Sequence, residues 1–129
     1  MPSRDDLVAV FEDTEAWYQS DATLKEAVKA SIEHTKVYME GETPALPPAR
    51  EKRAQVIVNQ NKTLEYAYIA HRKRPDAHIT VHNFASATHP GGGVRKGSRA
   101  QEECLCRTTT LLPALETEAN RKAYNGTMN

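Results

Sequence analysis

The sequence has 129 residues, with 17 basic and 17 acidic side chains and therefore a formal net charge of zero. This length, with 39% hydrophobic residues, fits one domain and excludes two independent cores. No run of 18 apolar residues occurs and the N-terminus is polar, so neither a membrane span nor a secretory signal is predicted. We expect a cytoplasmic protein without a membrane partner.

The charges divide unevenly along the chain. Residues 1–50 carry ten acids against five bases, whereas residues 51–129 carry twelve bases against seven acids. A basic half is compatible with a solvated face, with a nucleic-acid footprint or with a site for a smaller phosphate ligand. Charge alone does not choose among these three interpretations.

The first part of the chain is predicted to be helical. Apolar residues recur at helical spacing over residues 5–18, and a second helix follows the candidate N-cap Asp21 and ends at Gly41. Prolines at positions 44, 47 and 48 indicate an extended connector. Residues 1–50 are therefore expected to form an N-terminal helical segment and a proline-rich connector.

The second part of the chain alternates strands and helices. Strands are predicted where β-branched residues cluster, at residues 54–58 and 78–84, and a short helix is predicted between them at residues 63–72. A glycine-rich loop and two more helices follow, at residues 85–100, 101–112 and 116–124. This order predicts an α/β domain over residues 51–129 that binds an anion at its strand ends.

Three consecutive glycines in the loop are the first candidate functional feature. Gly91, Gly92 and Gly93 carry no Cβ, so the backbone can approach a ligand closely and point its N–H groups at a phosphate or carboxylate. A flexible surface loop is the plainer interpretation. The spacing matches neither a Walker A loop nor the dinucleotide-binding glycine pattern.

The second candidate feature is the run Gln101, Glu102 and Glu103 at the predicted start of a helix. Acidic side chains are common in a first helical turn, because they stabilise the helix dipole by about 0.3–1 kcal/mol each. The combination changes this interpretation: a strand ends at Asn83, three glycines follow, and seven residues later the Gln-Glu-Glu run begins.

Residues 82–115 resemble the signature of the bacterial-type poly(ADP-ribose) glycohydrolases, a branch of the macrodomain superfamily. That signature is a triple-glycine loop followed shortly by Gln-Glu-Glu, and both parts are present. The flanking residues 83–87 (Asn-Phe-Ala-Ser-Ala) and 105–107 (Leu-Cys-Arg) also resemble the family's pattern. The resemblance implies a macrodomain-like α/β fold, in which helices flank a mixed sheet and ADP-ribose lies across the strand ends.

The resemblance also implies an activity and its residues. The reaction would be hydrolysis of ribose-linked glycosidic bonds in poly(ADP-ribose), or in ADP-ribosylated protein or nucleic acid, with Glu103 as general acid/base. Glu102 and Gln101 would hold the distal ribose hydroxyls, and Asn83 would bind the same ribose. Backbone N–H groups would wrap the diphosphate at Gly91, Gly92, Gly93 and Val94.

A longer domain is implied as well, because the family continues with further strands, a second phosphate-binding loop and a stacking aromatic. The chain is therefore expected to be an N-terminal part, truncated after the catalytic helix, since two strands are too few for such a sheet. One alternative is an inactive fragment that needs a complementing C-terminal chain. Another is a non-catalytic ADP-ribose-binding module, which the intact acid pair disfavours.

No metal or cofactor is expected. Cys104 and Cys106 are spaced wrongly for a zinc knuckle, and on a helix their sulfur atoms would point apart. No dense cluster of aspartate and histidine appears, which disfavours a metal-dependent ADP-ribosyl hydrolase.

Overall fold

The computed structural model describes residues 1–126, which contain six α-helices and one 3₁₀ helix. The elements are α1 (Arg4–Ser20), α2 (Ala22–His34), α3 (Thr63–Lys73), the 3₁₀ helix (Val94–Lys96), α4 (Gln101–Thr108), α5 (Leu111–Leu115) and α6 (Glu118–Gly126). The chain divides into a first unit, Met1–Gly41 with Asn83–Asn129, and a second unit, Glu42–His82. The domain boundary that we placed after residue 50 stays a prediction.

The expected macrodomain-like α/β fold is wrong for the part of the chain that the structure describes. Neither residues 54–58 nor residues 78–84 form a strand, and residues 1–126 contain no sheet. Val56 and Val58 are 85% and 91% exposed. β-Branched residues favour strands only where neighbouring strands and a covering layer pack against them, and the described residues supply neither.

The predicted helices at residues 5–18 and 63–72 are confirmed as α1 and α3. A capping box begins α1: the Ser3 backbone N–H donates to Asp6, and the Asp6 N–H donates to the Ser3 hydroxyl. Asp21 is the cap of two helices at once. Its N–H donates to the Trp17 carbonyl and ends α1, and its carboxylate accepts from the Leu24 N–H at 2.9 Å and begins α2.

Helix α2 ends earlier than predicted, at His34 instead of close to Gly41. Thr35 leaves the helical region with ψ of 126°, while its hydroxyl donates to the Ser31 carbonyl at 2.7 Å. A β-branched residue that satisfies a terminal carbonyl with its own side chain favours such an ending.

The helix predicted over residues 101–112 is broken into α4 and α5. Thr109 is extended, with φ of −140° and ψ of 177°, and its hydroxyl donates to the Leu105 carbonyl and accepts from the Leu111 N–H. Pro113 does not end the helix as predicted but lies in the first turn of α5, where a missing N–H costs nothing.

The first unit has one hydrophobic core. The residues Phe11, Val94, Cys106 and Leu112 are each at most 2% exposed, and Leu111 and Leu115 pack against them. Helix α1 packs on α2, on α4 and on the 3₁₀ helix, and α2 packs on α5. Through Val94, this core joins the glycine-rich loop to α1, which lies earlier in the sequence, and to α4 and α5, which follow the loop.

The second unit consists of α3 and extended segments, and none of residues 42–82 is buried. A groove of about 460 Å³ runs between α3 and the residues around positions 57–59 and 79–82. In the described residues of both units, no helix combines the length and apolar character needed to span a bilayer.

Candidate active site

The first turn of α4 folds its side chains back onto the glycine-rich loop. Helix α4 begins after Ala100, which offers no side-chain cap, and Glu102 and Glu103 lie in the first turn. Both carboxylates instead accept backbone N–H groups of the preceding loop. The turn and the loop are consequently one hydrogen-bonded unit.

Glu102 is the most enclosed polar residue of this unit, with 1% of its surface exposed. Its Oε1 accepts from the Gly91 N–H at 3.0 Å, from Asn83 Nδ2 at 3.4 Å and from the Tyr124 hydroxyl at 3.2 Å. Its Oε2 accepts from the Ser86 N–H at 2.7 Å. Four donors surround this carboxylate, three at Oε1 and one at Oε2, which explains how a charge is tolerated there.

Glu103 has a different environment. Its Oε1 accepts from the Gly93 N–H at 3.0 Å, and no donor to its Oε2 is found among residues 1–126. The residue is 7% exposed and lines a cavity, whereas Glu102 does not. Of the two acids, Glu103 is the one with a free acceptor position beside open space.

The four backbone N–H groups that we expected to hold a diphosphate all donate within the chain. Gly91 and Gly93 donate to the two glutamates, Gly92 to the His89 carbonyl and Val94 to the Gly91 carbonyl. The Val94 side chain is part of the core. In this conformation the loop is closed onto α4.

Gly92 explains why the loop needs glycine. Its φ is +56°, in the left-handed region, and a Cβ there would lie 2.9 Å from the Cδ of Glu103. Gly91 also has a positive φ, of 77°, and its missing Cβ leaves room for the Leu112 side chain. The absence of side chains lets both carboxylates reach the loop backbone.

Asn83 and Gln101 lie beside the two acids. Gln101 Oε1 accepts from the Phe84 N–H at 2.8 Å, which fastens the start of the loop to α4. Asn83 donates to Glu102, and its Oδ1 is buried without a hydrogen-bond partner among the residues that the structure describes. An unpaired buried acceptor costs about 1–3 kcal/mol, so Asn83 Oδ1 is suited to receive a donor from a ligand.

The cavity has a volume of about 570 Å³, within the range of small-molecule sites. Glu103 lies in its wall with Gly92 and Gly93, and α6 contributes Arg121. Its other charged lining residues are Arg95, Lys96 and Glu116. Arg95 is ion-paired with carboxylates, and Lys96 and Arg121 add two further cationic groups to the wall, which suit an anionic ligand.

Arg95 fastens the far end of the loop. Its guanidinium lies 3.1 Å from Glu15 of α1 and 3.4 Å from Glu116, and it stacks 5.1 Å from the centre of the Phe11 ring. The hydrogen bond with Glu15 is the main cause that raises the pKa of Arg95. The Arg95 side chain is thus engaged in ion pairs with two glutamates.

The structure therefore brings together the predicted residues Asn83, Gln101, Glu102, Glu103 and the three glycines. It also reveals contacts that the sequence did not predict. Tyr124 reaches Glu102 from α6, and the backbone of Ser86 supplies the shortest hydrogen bond to the same carboxylate. Ser86 lies within the flanking residues 83–87 but was assigned no contact, whereas Tyr124 lies outside the motif and 22 residues from its partner.

A carboxyl group that lines a cavity beside cationic side chains is suited to acid/base chemistry on an anionic ligand. Residues 8–129 match the family model of the microbial-type PARG (poly(ADP-ribose) glycohydrolase) catalytic domain, so the chain belongs to this family. The resemblance found in the sequence is thus confirmed. No curated protein and no solved structure matches the chain.

Proposed function

We propose that the chain is a glycosidase that hydrolyses ribose-linked bonds of ADP-ribose units, with Glu103 as general acid/base. Membership of the microbial-type PARG catalytic domain family supports a glycohydrolase that acts on poly(ADP-ribose). The position of Glu103 carries the assignment of the residue, because it is the acid of the pair that lines the cavity and keeps one oxygen without a partner among residues 1–126.

The chemistry requires one carboxyl group to act twice. The bond from the anomeric carbon to the departing oxygen breaks through an oxocarbenium-like state, while protonated Glu103 donates its proton to that oxygen. The Glu103 carboxylate then removes a proton from the attacking water, whose oxygen bonds to the anomeric carbon. The Gly93 N–H at 3.0 Å holds one oxygen of Glu103, which orients the other toward the substrate.

Binding of the ribose would use Asn83 and the residues around it. A ribose hydroxyl that donates to Asn83 Oδ1 would satisfy an acceptor that is buried and unpaired. Three of the four hydrogen bonds to Glu102 reach Oε1, so a ribose hydroxyl would either replace one of those donors or bind at Oε2 beside the Ser86 N–H. Ribose contacts by Glu102 and Gln101 stay predictions.

Binding of the diphosphate would rest on the cavity's charge and on the glycine-rich loop. Lys96 and Arg121 supply cationic side chains at the wall. The Gly91–Val94 N–H groups would contact the diphosphate only after exchanging their present acceptors, so this contact also stays a prediction. The proposed substrates are poly(ADP-ribose) and ADP-ribosylated protein or nucleic acid.

The test compares Glu103→Gln with wild type in ADP-ribose release from poly(ADP-ribose) and in calorimetric ADP-ribose binding. Glutamine keeps the shape and the acceptor for Gly93 but cannot transfer a proton, so turnover is expected to fall about 10²–10⁴-fold. Because the side chain is otherwise preserved, the Kd is expected to stay within about threefold.

Glu118→Gln is the matched control, because Glu118 lies on α6, its side chain is 83% exposed and it forms an ion pair with Lys122 on the same helix. It is expected to behave as wild type. Undiminished turnover by Glu103→Gln would contradict the acid/base role. ADP-ribose binding by a wild-type chain that releases no product would identify a binding module instead.

A further inference from the structure

Helix α6 presents two side chains to the candidate site. Arg121 and Tyr124 are three residues apart and thus lie on one face of the helix. Arg121 lines the cavity and Tyr124 donates to Glu102. The sequence motif accounts for neither residue, since the resemblance was assigned to residues 82–115, before α6 begins.

The start of α6 is anchored to α5 by polar contacts, which fixes where this face points. The Asn120 side chain donates to the Ala114 carbonyl at 2.7 Å, and the Asn120 N–H donates to the Thr117 hydroxyl. Arg121 Nε donates to the Glu116 carbonyl at 3.0 Å. Tyr124 therefore approaches Glu102 from a helix that is itself held in place.

The contact between Tyr124 and Glu102 has a defined direction. Burial and then the nearby Glu102 carboxylate raise the pKa of Tyr124 to about 12, so the phenol keeps its proton and donates at ordinary pH. Hydrogen bonds to an ionised acceptor are stronger than those between neutral groups. This hydrogen bond is consequently suited to fix the orientation of a carboxylate.

Tyr124 shares the Oε1 atom of Glu102 with Gly91 and Asn83. Two of these donors come from the loop side, and Tyr124 comes from α6. If Glu102 rotated, it would carry with it the Gly91 backbone and the Asn83 amide. Gly91 is followed in the chain by Gly92 and Gly93, which lie next to the Glu103 carboxylate. Rotation of Glu102 would therefore displace the loop backbone around the proposed catalytic acid.

We propose that Tyr124 is a positioning residue, whose hydroxyl orients Glu102 and thereby holds Asn83 and the glycine-rich loop in register with Glu103. This inference rests on the proposed function for its kinetic part. Tyr124 need not touch substrate. Its effect passes through Glu102 to the residues that do.

The test is Tyr124→Phe, which removes the hydroxyl and keeps the ring, with Tyr38→Phe as control because Tyr38 is 53% exposed. For Tyr124→Phe, kcat on poly(ADP-ribose) is expected to fall about tenfold with KM changed less than about twofold, because binding is retained while Glu103 is misaligned. The amides of Gly91 and Ser86 are expected to change NMR chemical shift and to exchange faster with solvent.

The two readouts separate this inference from the proposed function. If wild type releases no product, the proposed function fails, and the amides of Gly91 and Ser86 alone decide whether Tyr124 holds Glu102. Unchanged amides in Tyr124→Phe would overturn the positioning role. So would a rise in KM with unchanged kcat, or an equal response from Tyr38→Phe.

Discussion

At the scale of single residues, the adjacent glutamates Glu102 and Glu103 have different environments. Glu102 is enclosed by four donors, and Glu103 keeps an oxygen beside the cavity. The same helical turn thus supplies a residue that organises the loop and a residue that is available for chemistry. Their difference arises from position alone, since successive helical residues point about 100° apart.

Gly92→Ala tests the close approach of the loop to Glu103. The left-handed φ would cost about 1–2 kcal/mol, and the methyl group would also push against the Glu103 carboxylate. We expect a larger loss of unfolding free energy than for Gly41→Ala, and turnover lower by about 100-fold.

Gly41 is the matched control because its φ is +86° and no atom lies within 4 Å of the position of a Cβ. Gly41→Ala therefore reports the backbone strain without the clash. Urea unfolding of both variants separates the two contributions. Equal losses for the two variants, with turnover intact, would show that Gly92 is needed for its conformation only.

The sequence predicted the residues of the site better than their contacts. The spacing of Gly91–Gly93 and Gln101–Glu103 was informative because the motif is local and needs few residues. Tyr124 was missed because a tyrosine in a short amphipathic helix carries no sign of a partner 22 residues away. The four donors to Glu102 were missed for the same reason, since they depend on tertiary contacts.

At the scale of elements, hydroxyl side chains set where helices end. Thr109 separates α4 from α5 and makes two hydrogen bonds, to the Leu105 carbonyl and from the Leu111 N–H. Because of this break, Leu112 of α5 packs in the core while the first turn of α4 stays in contact with the glycine-rich loop. The spacing of apolar residues predicted one continuous helix, because a threonine that hydrogen-bonds nearby backbone groups does not change that spacing.

Thr109→Val tests this break, because valine keeps the shape and removes both hydrogen bonds. We expect the unfolding free energy to fall by about 1–2 kcal/mol in urea denaturation. Thr108→Val is the control: Thr108 is exposed and its hydroxyl donates to the Cys104 carbonyl, a hydrogen bond that water can replace. A loss of the same size in both variants would assign the effect to β-branching in general.

At the scale of the whole molecule, the two units differ in burial. Every buried residue of the described chain belongs to the first unit, and residues 42–82 contain none. The predicted sheet failed here because the strand pattern of residues 54–58 and 78–84 reports suitability for a sheet and not the presence of partner strands. Helices α1 and α3 were predictable because their hydrogen bonds are internal.

Native-state hydrogen exchange is expected to reflect this difference. Amides of α1, α4 and α5 should exchange most slowly, because they pack on the core. Residues 42–62, which have neither helix nor buried side chains, should exchange at nearly the rate of an unfolded chain. Strong protection in residues 54–58 would contradict the absence of a strand there.

Stability is expected to decline in alkaline solution. Burial raises the pKa of the Cys106 thiol from 9.0 to about 12, and burial followed by Glu15 raises that of Tyr18 from 10.0 to about 12. At a pH between the unfolded and native pKa values of each group, the unfolded chain has released a proton that the native chain retains. Both groups therefore make their full contribution to the free energy of unfolding below about pH 9. The free energy of unfolding falls as the pH rises toward 12, by up to about 1.4 kcal/mol per pH unit for each group.

Urea unfolding at several pH values checks this expectation, with Tyr18→Phe as the comparison. Phenylalanine has no proton to release, so the variant should lose stability less steeply above about pH 10. A free energy of unfolding that stays level to about pH 11 would contradict the assignment, as would identical slopes for wild type and variant.

The double cap at Asp21 makes α1 and α2 meet without a linker. With one residue inserted beside it, Asp21 could keep only one of its two partners, the Trp17 carbonyl or the Leu24 N–H. This corner should therefore tolerate substitution of exposed side chains but not a change of length. Because α1 carries Phe11 and Glu15, and α2 packs on α5, the corner sets the spacing between both flanks of the glycine-rich loop. The corner is therefore a rigid connection between α1 and α2, and tags or insertions should be better tolerated in loops elsewhere in the chain.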